Sequence, residues 1–92
     1  MKVLVRAFAK FRDIVGEKTC FDLKEGSTIG DLLETICTSH LGLKADLFNS
    51  NGTIGDGVTI LINRKGLEVP DPQKTVLEEG DEVALLPPFS GG

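Results

Sequence analysis

The residues best suited to chemistry stand at the end of the chain, which closes on Pro87-Pro88-Phe89-Ser90-Gly91-Gly92. Glycine has no Cβ and accepts φ of either sign, so Gly91 and Gly92 form the thinnest segment that a polypeptide offers. A partner enzyme that reaches a terminal carboxyl through a narrow tunnel would need such a segment. We therefore take the carboxylate of Gly92 as the candidate reactive group, with Ser90 and Gly91 as the tail that carries it. The alternative is a frayed end, because termini are usually poorly ordered.

The order of features ahead of this tail favours the chemical interpretation. An acidic turn at residues 78–81 precedes a strand-like apolar run at residues 82–86, and Pro87 and Pro88 follow. Proline has a fixed φ and no backbone N–H, so the two prolines should end the strand and hold the tail away from the sheet. We predict a folded domain over residues 1–86 and a flexible C-terminal Gly-Gly tail over residues 87–92.

The rest of the chain offers no independent catalytic set. We find no nucleophile beside a base, no phosphate-binding glycine loop and no paired histidines. Cys20 and Cys37 are far apart and lack metal-ligand spacing, so they are interpreted as ordinary small core residues rather than a disulfide or a reactive thiol. We expect a chain that is not itself an enzyme, has no metal site and binds no cofactor.

Length and composition indicate one folded domain. The chain has 92 residues, of which 40% are hydrophobic and 26% are charged, values that are typical of a globular protein. The net charge of −4 disfavours nucleic acid and anionic membranes as partners, because both need basic patches. No apolar run has the length of a membrane span, and residues 1–6 alternate like a strand rather than a signal peptide. The expected location is the cytoplasm.

Hydrophobic periodicity predicts the elements that position the tail. The main helix should begin at Ser27 or Thr28 as N-cap, with Asp31 in its first turn, and run to about Ser39. A short helix is predicted at residues 9–15, with Phe8, Phe11 and Val15 or Ile14 on its inner face. Strands are predicted at residues 2–7, 18–23, 58–62, 67–69 and 82–86, with a hairpin turn at 63–66. The expected fold is α+β, a ubiquitin-like roll with a mixed, mostly antiparallel sheet of about five strands over one main helix.

The first and last strands should lie side by side at the centre of this sheet. Val3, Val5, Val58, Ile60, Ile62, Val83 and Leu85 share the inward phase of their strands, whereas Leu4, Leu61, Ala84 and Leu86 have the opposite phase. One helix covers one face only, so the second set should lie at least partly in the open and form an interaction surface at the root of the tail. The alternative is that residues 43–57, pinned to the body by Leu43, Leu47 and Phe48, fold back over it.

The whole chain resembles the MoaD/ThiS family of ubiquitin-like sulfur carriers, which have the β-grasp fold. The resemblance is carried by residues 2–5, 11–16, 28–33, 60–63 and, most specifically, 80–92. The extended middle, residues 40–57, is more similar to the molybdopterin synthase small subunit and to small archaeal modifier proteins than to the shorter thiamin carrier.

The resemblance implies that an E1-like adenylating enzyme, using ATP and Mg²⁺, adenylates the Gly92 carboxylate. A persulfide then displaces AMP to give a thiocarboxylate, whose sulfur goes to a pterin precursor in the large subunit of molybdopterin synthase. The partner contacts that the resemblance implies are Leu86, Pro87 and Phe89 at the tail root, with Leu67 and Arg64 at the hairpin. We add Pro88 beside them, and Leu4 and Leu61 from the outer phase of the sheet.

Two other functions stay open. An archaeal-type modifier would use the same activated tail to join Gly92 to lysines of target proteins. A plain ubiquitin-like binding module would have an inert tail, and removal of Gly91 and Gly92 would leave its function intact.

Overall fold

This computed structural model describes residues 1–63, 65–66 and 75–88 of the chain. The elements are β1 (Lys2–Ala7), α1 (Lys10–Val15), β2 (Lys18–Asp22), α2 (Ile29–Ser39), a 3-10 helix (Leu41–Leu43), α3 (Lys44–Leu47), β3 (Thr59–Ile62), β4 (Lys65–Gly66) and β5 (Glu82–Leu86). The predicted strand at residues 67–69, with Leu67, lies outside the described residues, and so do Arg64 and the tail from Phe89 to Gly92.

The strands form one mixed sheet in the order β2-β1-β5-β3-β4. β1 pairs antiparallel with β2 and parallel with β5, and β3 pairs antiparallel with β5 and β4. The first and last strands are therefore neighbours at the centre of the sheet, as predicted. The strand that leads to the tail is β5, which has a hydrogen-bonded strand on each side.

The main helix, α2, begins at a reciprocal cap. The Thr28 side-chain oxygen accepts the Asp31 backbone N–H at 3.2 Å, and the Asp31 carboxylate accepts the Thr28 backbone N–H at 2.9 Å. This capping box satisfies two backbone donors that a helix start leaves free. It confirms Thr28 as N-cap, and the residues of the predicted apolar stripe are all fully buried: Ile29, Leu32, Leu33 and Ile36.

The hydrophobic core lies between α2 and one face of the sheet. The sheet contributes fully or almost fully buried side chains in the predicted inward phase, namely Val3, Val5, Ile60, Val83 and Leu85, with Val58 and Ile62 packed partly buried against them. Leu43 and Leu47 are buried in the same core, and Phe48 is half-buried against it. The prediction that these three residues attach the middle segment to the body is confirmed.

The inner face predicted for α1 is partly wrong. Phe11 and Val15 are buried, but Phe8 is 38% exposed and Ile14 is 37% exposed. Phe8 precedes the helix and continues the alternation of β1, in which Val3, Val5 and Ala7 are the inward residues, so it belongs to the outer phase.

The hairpin after β3 also differs from the prediction. Lys65 and Gly66, assigned to the turn, form β4 and pair with Ile62 and Leu61. Asn63 supports the chain reversal with a φ of 51°, a region in which asparagine is more common than most residues. The turn therefore closes earlier in the chain than its composition indicated.

Candidate functional site

The described part of the predicted tail begins where β5 ends. Leu86 pairs with Thr59 as the last residue of β5, and Pro87 and Pro88 follow outside the ladder. Proline cannot donate to a ladder hydrogen bond, which explains why the strand ends here. Gly92 and its neighbours Gly91, Ser90 and Phe89 lie outside the described residues, so their chemical role stays a prediction.

The tail root packs against Gly57, in the loop ahead of β3. A Cβ on Gly57 would lie 2.9 Å from the Pro88 Cβ, closer than real Cβ contacts come, and Gly57 has a φ of +80°. The loop ahead of β3 therefore forms the surface against which Pro88 packs. The signal in the sequence was a glycine two residues before a strand, but local sequence did not show what it contacts.

The face of the sheet opposite α2 carries the apolar residues of the outer phase. Leu4, Leu61 and Leu86 are half-buried, as expected for residues partly in the open. Ala84 departs from that expectation, because it is only 9% exposed. It lies on the central strand between Arg6 of β1 and Leu61 of β3, and its single methyl group is shielded by longer neighbours.

The side chains that attach the middle segment to the body lie on the helix side of the sheet, not on this open face. Leu43 and Leu47 are buried in the core that α2 forms with the inward face of the sheet. Together with Phe48, they anchor the segment on the helix side. Partner contact by Leu4, Leu61 and Leu86 remains a prediction, as it does for Pro87 and Pro88.

An ion pair crosses the open face. The Arg6 Nη1 donates to Glu82 Oε1 at 3.2 Å, with side chains that are 30% and 24% exposed. The guanidinium also lies 5.5 Å from the centroid of the Phe8 ring, within the range of a cation–π contact. Arg6 stands directly opposite Ala84, and this small neighbour leaves room for the guanidinium to reach Glu82. The pair joins β1 to β5 and places charge among the apolar side chains.

A hydrogen-bonded bracket holds the start of β5. Asn63 donates from its side-chain amide to Asp81 Oδ1 at 3.0 Å and accepts the Glu82 backbone N–H at 2.9 Å. The second carboxylate oxygen of Asp81 accepts the Glu78 backbone N–H at 2.8 Å. These bonds connect the end of β3 to the turn before β5. The strand that leads to the tail is therefore restrained at its start by the bracket and at its end by the Gly57 contact.

The two cysteines have different environments, and both are free thiols. Cys37 is 7% exposed in α2, as predicted for a core residue. Burial raises the pKa of the Cys37 thiol, while the nearby Lys44 ammonium opposes this rise and the Glu34 carboxylate adds to it. Cys20 is exposed, so its interpretation as a core residue is wrong. It pairs with Leu4 across β1 and β2 and so shares the outer phase.

Within residues 1–63, 65–66 and 75–88, no group of three or more His, Cys, Asp or Glu side chains is placed to hold a metal ion. In the same part of the chain, no helix combines the length and the apolar character needed to cross a membrane.

Comparison with known proteins identifies relatives over the full length. The chain is 32% identical over 93 residues to small archaeal modifier protein 3 of Haloferax volcanii, with 100% of both chains covered. It is equally 32% identical over 93 residues to the molybdopterin synthase sulfur carrier subunit of Chlamydomonas reinhardtii, again with 100% of both covered. The crystal structure of SAMP1 from Haloferax volcanii superimposes with a TM-score of 0.82 at 27% identity and 100% coverage of both chains.

These neighbours confirm the predicted ubiquitin-like β-grasp fold. The relatives include both a sulfur carrier subunit and a protein modifier, which are two of the three functions considered from the sequence. The model of the ThiS family matches residues 5–92, nearly the whole chain. The resemblance stated from the sequence is thereby confirmed, and the chain belongs to the ThiS/MoaD family of ubiquitin-like proteins.

Proposed function

We propose that this chain is a sulfur carrier for molybdopterin biosynthesis and acts as the small subunit of molybdopterin synthase. The observation that carries this function is the full-length similarity to a molybdopterin synthase sulfur carrier subunit. The position of β5 supports it, because the tail leaves the body from a central strand whose neighbours hold it in place. We divide the chain into a body, residues 1–86, and a reactive tail, residues 87–92.

The chemistry takes place on the Gly92 carboxylate. This group is ionised at pH 7 and is a poor acyl donor. In the first step a carboxylate oxygen attacks the α-phosphorus of ATP on an E1-like enzyme, pyrophosphate leaves, and an acyl adenylate forms. In the second step the terminal sulfur of a persulfide attacks the acyl carbon and AMP leaves. A second thiol then attacks the sulfur of the former persulfide cysteine in the acyl disulfide, forms a disulfide with it and releases the thiocarboxylate.

In this scheme the chain is a carrier and co-substrate, and partner proteins carry out the catalysis. ATP and Mg²⁺ are used by the activating enzyme. The body supplies the binding energy through the open face, since the cores of protein interfaces are apolar. The large synthase subunit then receives the tail. The proposed contacts of the body and the tail root are Leu4, Leu61, Leu67, Leu86, Pro87, Pro88 and Phe89, and the narrow end is Ser90, Gly91 and Gly92.

A second candidate function is protein modification through the same tail. It is favoured by the full-length similarity to small archaeal modifier protein 3, at the same 32% identity as the sulfur carrier subunit. Here a lysine amine of a target protein attacks the activated carbonyl of Gly92. AMP or a thiol leaves, and an isopeptide bond forms.

The intact mass of the protein from its native host tests the first function. We expect a fraction in which one oxygen is replaced by sulfur, with alkylation mapped to the terminal peptide. The control is a chain that lacks Gly91 and Gly92 but keeps the whole body, and it should carry no thiocarboxylate. A population with only a plain carboxylate, even after incubation with ATP, a sulfur donor and host extract, would overturn the sulfur carrier function.

The same samples test the second function. Covalent adducts of higher mass that disappear with the truncated control would support modification of lysines. We place both reactions in the cytoplasm, and fractionation of host cells followed by immunodetection of the chain checks this location. Recovery of the chain outside the cytoplasmic fraction would contradict it.

A further inference from the structure

Gly57 lies opposite Pro88 if the pairing of β3 and β5 is continued beyond the last ladder pair. Thr59 pairs with Leu86 and Ile60 with Leu85 in the antiparallel ladder of β3 and β5. Continuing that register by two positions sets Gly57 opposite Pro88. The close approach agrees with this extension, since a Cβ on Gly57 would lie 2.9 Å from the Pro88 Cβ and 3.4 Å from its Cα and Cγ.

The loop that contains Gly57 is tied to the body. The Gly55 backbone N–H donates to the Leu47 carbonyl oxygen at 2.7 Å, and the Val58 backbone N–H donates to the Gly55 carbonyl oxygen at 3.1 Å. Leu47 is fully buried, so the loop is fastened to the core at that point. Pro88 therefore packs against a fixed surface.

Gly57 differs in its contacts from the other glycines that share its backbone conformation. Gly26, Gly52 and Gly80 have φ values of +86°, +87° and +83°, close to the +80° of Gly57. At each of these three positions a Cβ would meet nothing within 4 Å. At Gly57 the missing side chain leaves the space that the Pro88 ring occupies.

We propose that Gly57 is a positioning residue for the reaction at the tail. It keeps Pro88 in line with β5 for two residues beyond the last ladder pair, so the chain leaves the sheet along the strand axis. This inference rests on the proposed function, because it concerns delivery of the Gly92 carboxyl to the activating enzyme. A side chain at position 57 displaces Pro88 and changes the direction in which the Gly92 carboxyl is presented to the activating enzyme. Binding of the enzyme to the open face is unchanged.

The test compares Gly57→Ala with Gly52→Ala. Both substitutions put a Cβ on a residue with positive φ, which strains the backbone. Only the first brings the Cβ against Pro88. The assay is ATP–pyrophosphate exchange catalysed by the E1-like enzyme, a step common to both candidate functions, measured as kcat and as KM for the carrier chain.

We expect Gly57→Ala to lower kcat by about tenfold or more, because a displacement of about 1 Å at a reacting group costs up to roughly a hundredfold in rate. The KM should change little, because docking through the open face is intact. Gly52→Ala should keep a kcat close to that of the wild-type chain. Pro88→Gly removes the ring atoms that a side chain at position 57 would meet. Gly57→Ala should therefore lower kcat by a smaller factor when it is added to the Pro88→Gly chain than when it is added to the wild-type chain.

The contact between Gly57 and Pro88 can be measured by NMR without the enzyme. The wild-type chain and Gly52→Ala should both show nuclear Overhauser contacts between the Gly57 α-protons and the Pro88 ring. Absence of these contacts in the wild-type chain would overturn the inference even if Gly57→Ala does not fold.

The two proposals fail in different ways. Equal kcat values for Gly57→Ala and Gly52→Ala would overturn the positioning role and leave the proposed function standing. No exchange with the wild-type chain would overturn activation of Gly92 itself, and the positioning role with it.

Discussion

Replacing Thr28 with alanine should destabilise the protein by about 1 kcal/mol, the typical loss when an N-cap threonine is removed. The substitution deletes the oxygen that accepts the Asp31 backbone N–H at 3.2 Å. The reciprocal bond from the Thr28 backbone N–H to the Asp31 carboxylate can persist, since its donor belongs to the main chain. Both bonds are solvent-exposed, so water replaces the lost partner and the loss stays near 1 kcal/mol rather than 2 kcal/mol.

Two other threonines of α2 are matched controls for the same chemical change. Thr35 Oγ1 donates to the Asp31 carbonyl oxygen and Thr38 Oγ1 donates to the Glu34 carbonyl oxygen, each at 2.9 Å and exposed. These are bonds within the helix interior, where alanine has the higher helix propensity. We expect Thr35→Ala and Thr38→Ala to change the free energy of unfolding by about 0.5 kcal/mol at most, in the stabilising direction.

The assay is thermal unfolding of the three variants beside the wild-type chain. A loss of 1 kcal/mol corresponds to a decrease in Tm of about 4–8 °C for a domain of this size. Urea unfolding gives an independent value of the same free energy. Similar losses for all three variants would refute the reasoning, because they would show that threonine hydroxyls stabilise α2 wherever they stand and that the cap has no special role.

Three further predictions concern the open face and the thiols. Leu61→Asp should weaken binding to the large synthase subunit by tenfold or more in calorimetric titration, as about 1.4 kcal/mol or more is lost when an apolar contact is replaced by a buried charge; Thr38→Asp, which adds the same charge on α2, should bind like the wild-type chain. In the folded protein maleimide should label Cys20, and Cys37 should react only after denaturation, as mapped by mass spectrometry. Folding raises the pKa of the Cys37 thiol above its ordinary value of 9.0. The contribution of this thiol to the free energy of unfolding is therefore fully present below pH 9.0 and is lost as pH rises through the folded-state pKa. In urea unfolding, Cys37→Ala should lose less stability at alkaline pH than the wild-type chain.

The main helix and the central strands could be predicted because their signals are local. Thr28 and Asp31 are three residues apart, and the buried residues of α2 recur at helical spacing within one segment. The alternation of Val3 and Val5 in β1, and of Val83 and Leu85 in β5, likewise identifies the inward face of each strand from its own residues.

The wrong predictions concern residues whose exposure depends on a pairing between distant segments. Cys20 is exposed because the register of β1 and β2 places it beside Leu4, on the face that α2 does not cover. Phe8 is predicted on the inner face of α1, but it retains the phase of the preceding strand. An apolar residue next to two elements has two possible faces, and only the tertiary structure selects one.

The candidate site depends on distant pairings to a greater degree. Arg6 and Glu82 are separated by 76 positions in the chain and meet because β1 and β5 are parallel neighbours. Gly57 and Pro88 meet because β3 and β5 are antiparallel with Thr59 opposite Leu86. Local sequence identified Pro88 as a strand terminator. It contained no signal that the two are in contact.

The restraints on β5 limit how a partner can use the tail. The Asn63 bracket holds the start of the strand, and the Gly57 contact holds Pro88. In the proposed function the reactive carboxyl belongs to Gly92, four residues after Pro88. Four residues of fully extended chain span at most about 14 Å. The reacting group of any partner must therefore lie within that distance of Pro88, so the docking surface has to adjoin the tail root, where Leu86 and Leu61 lie half-buried on the open face.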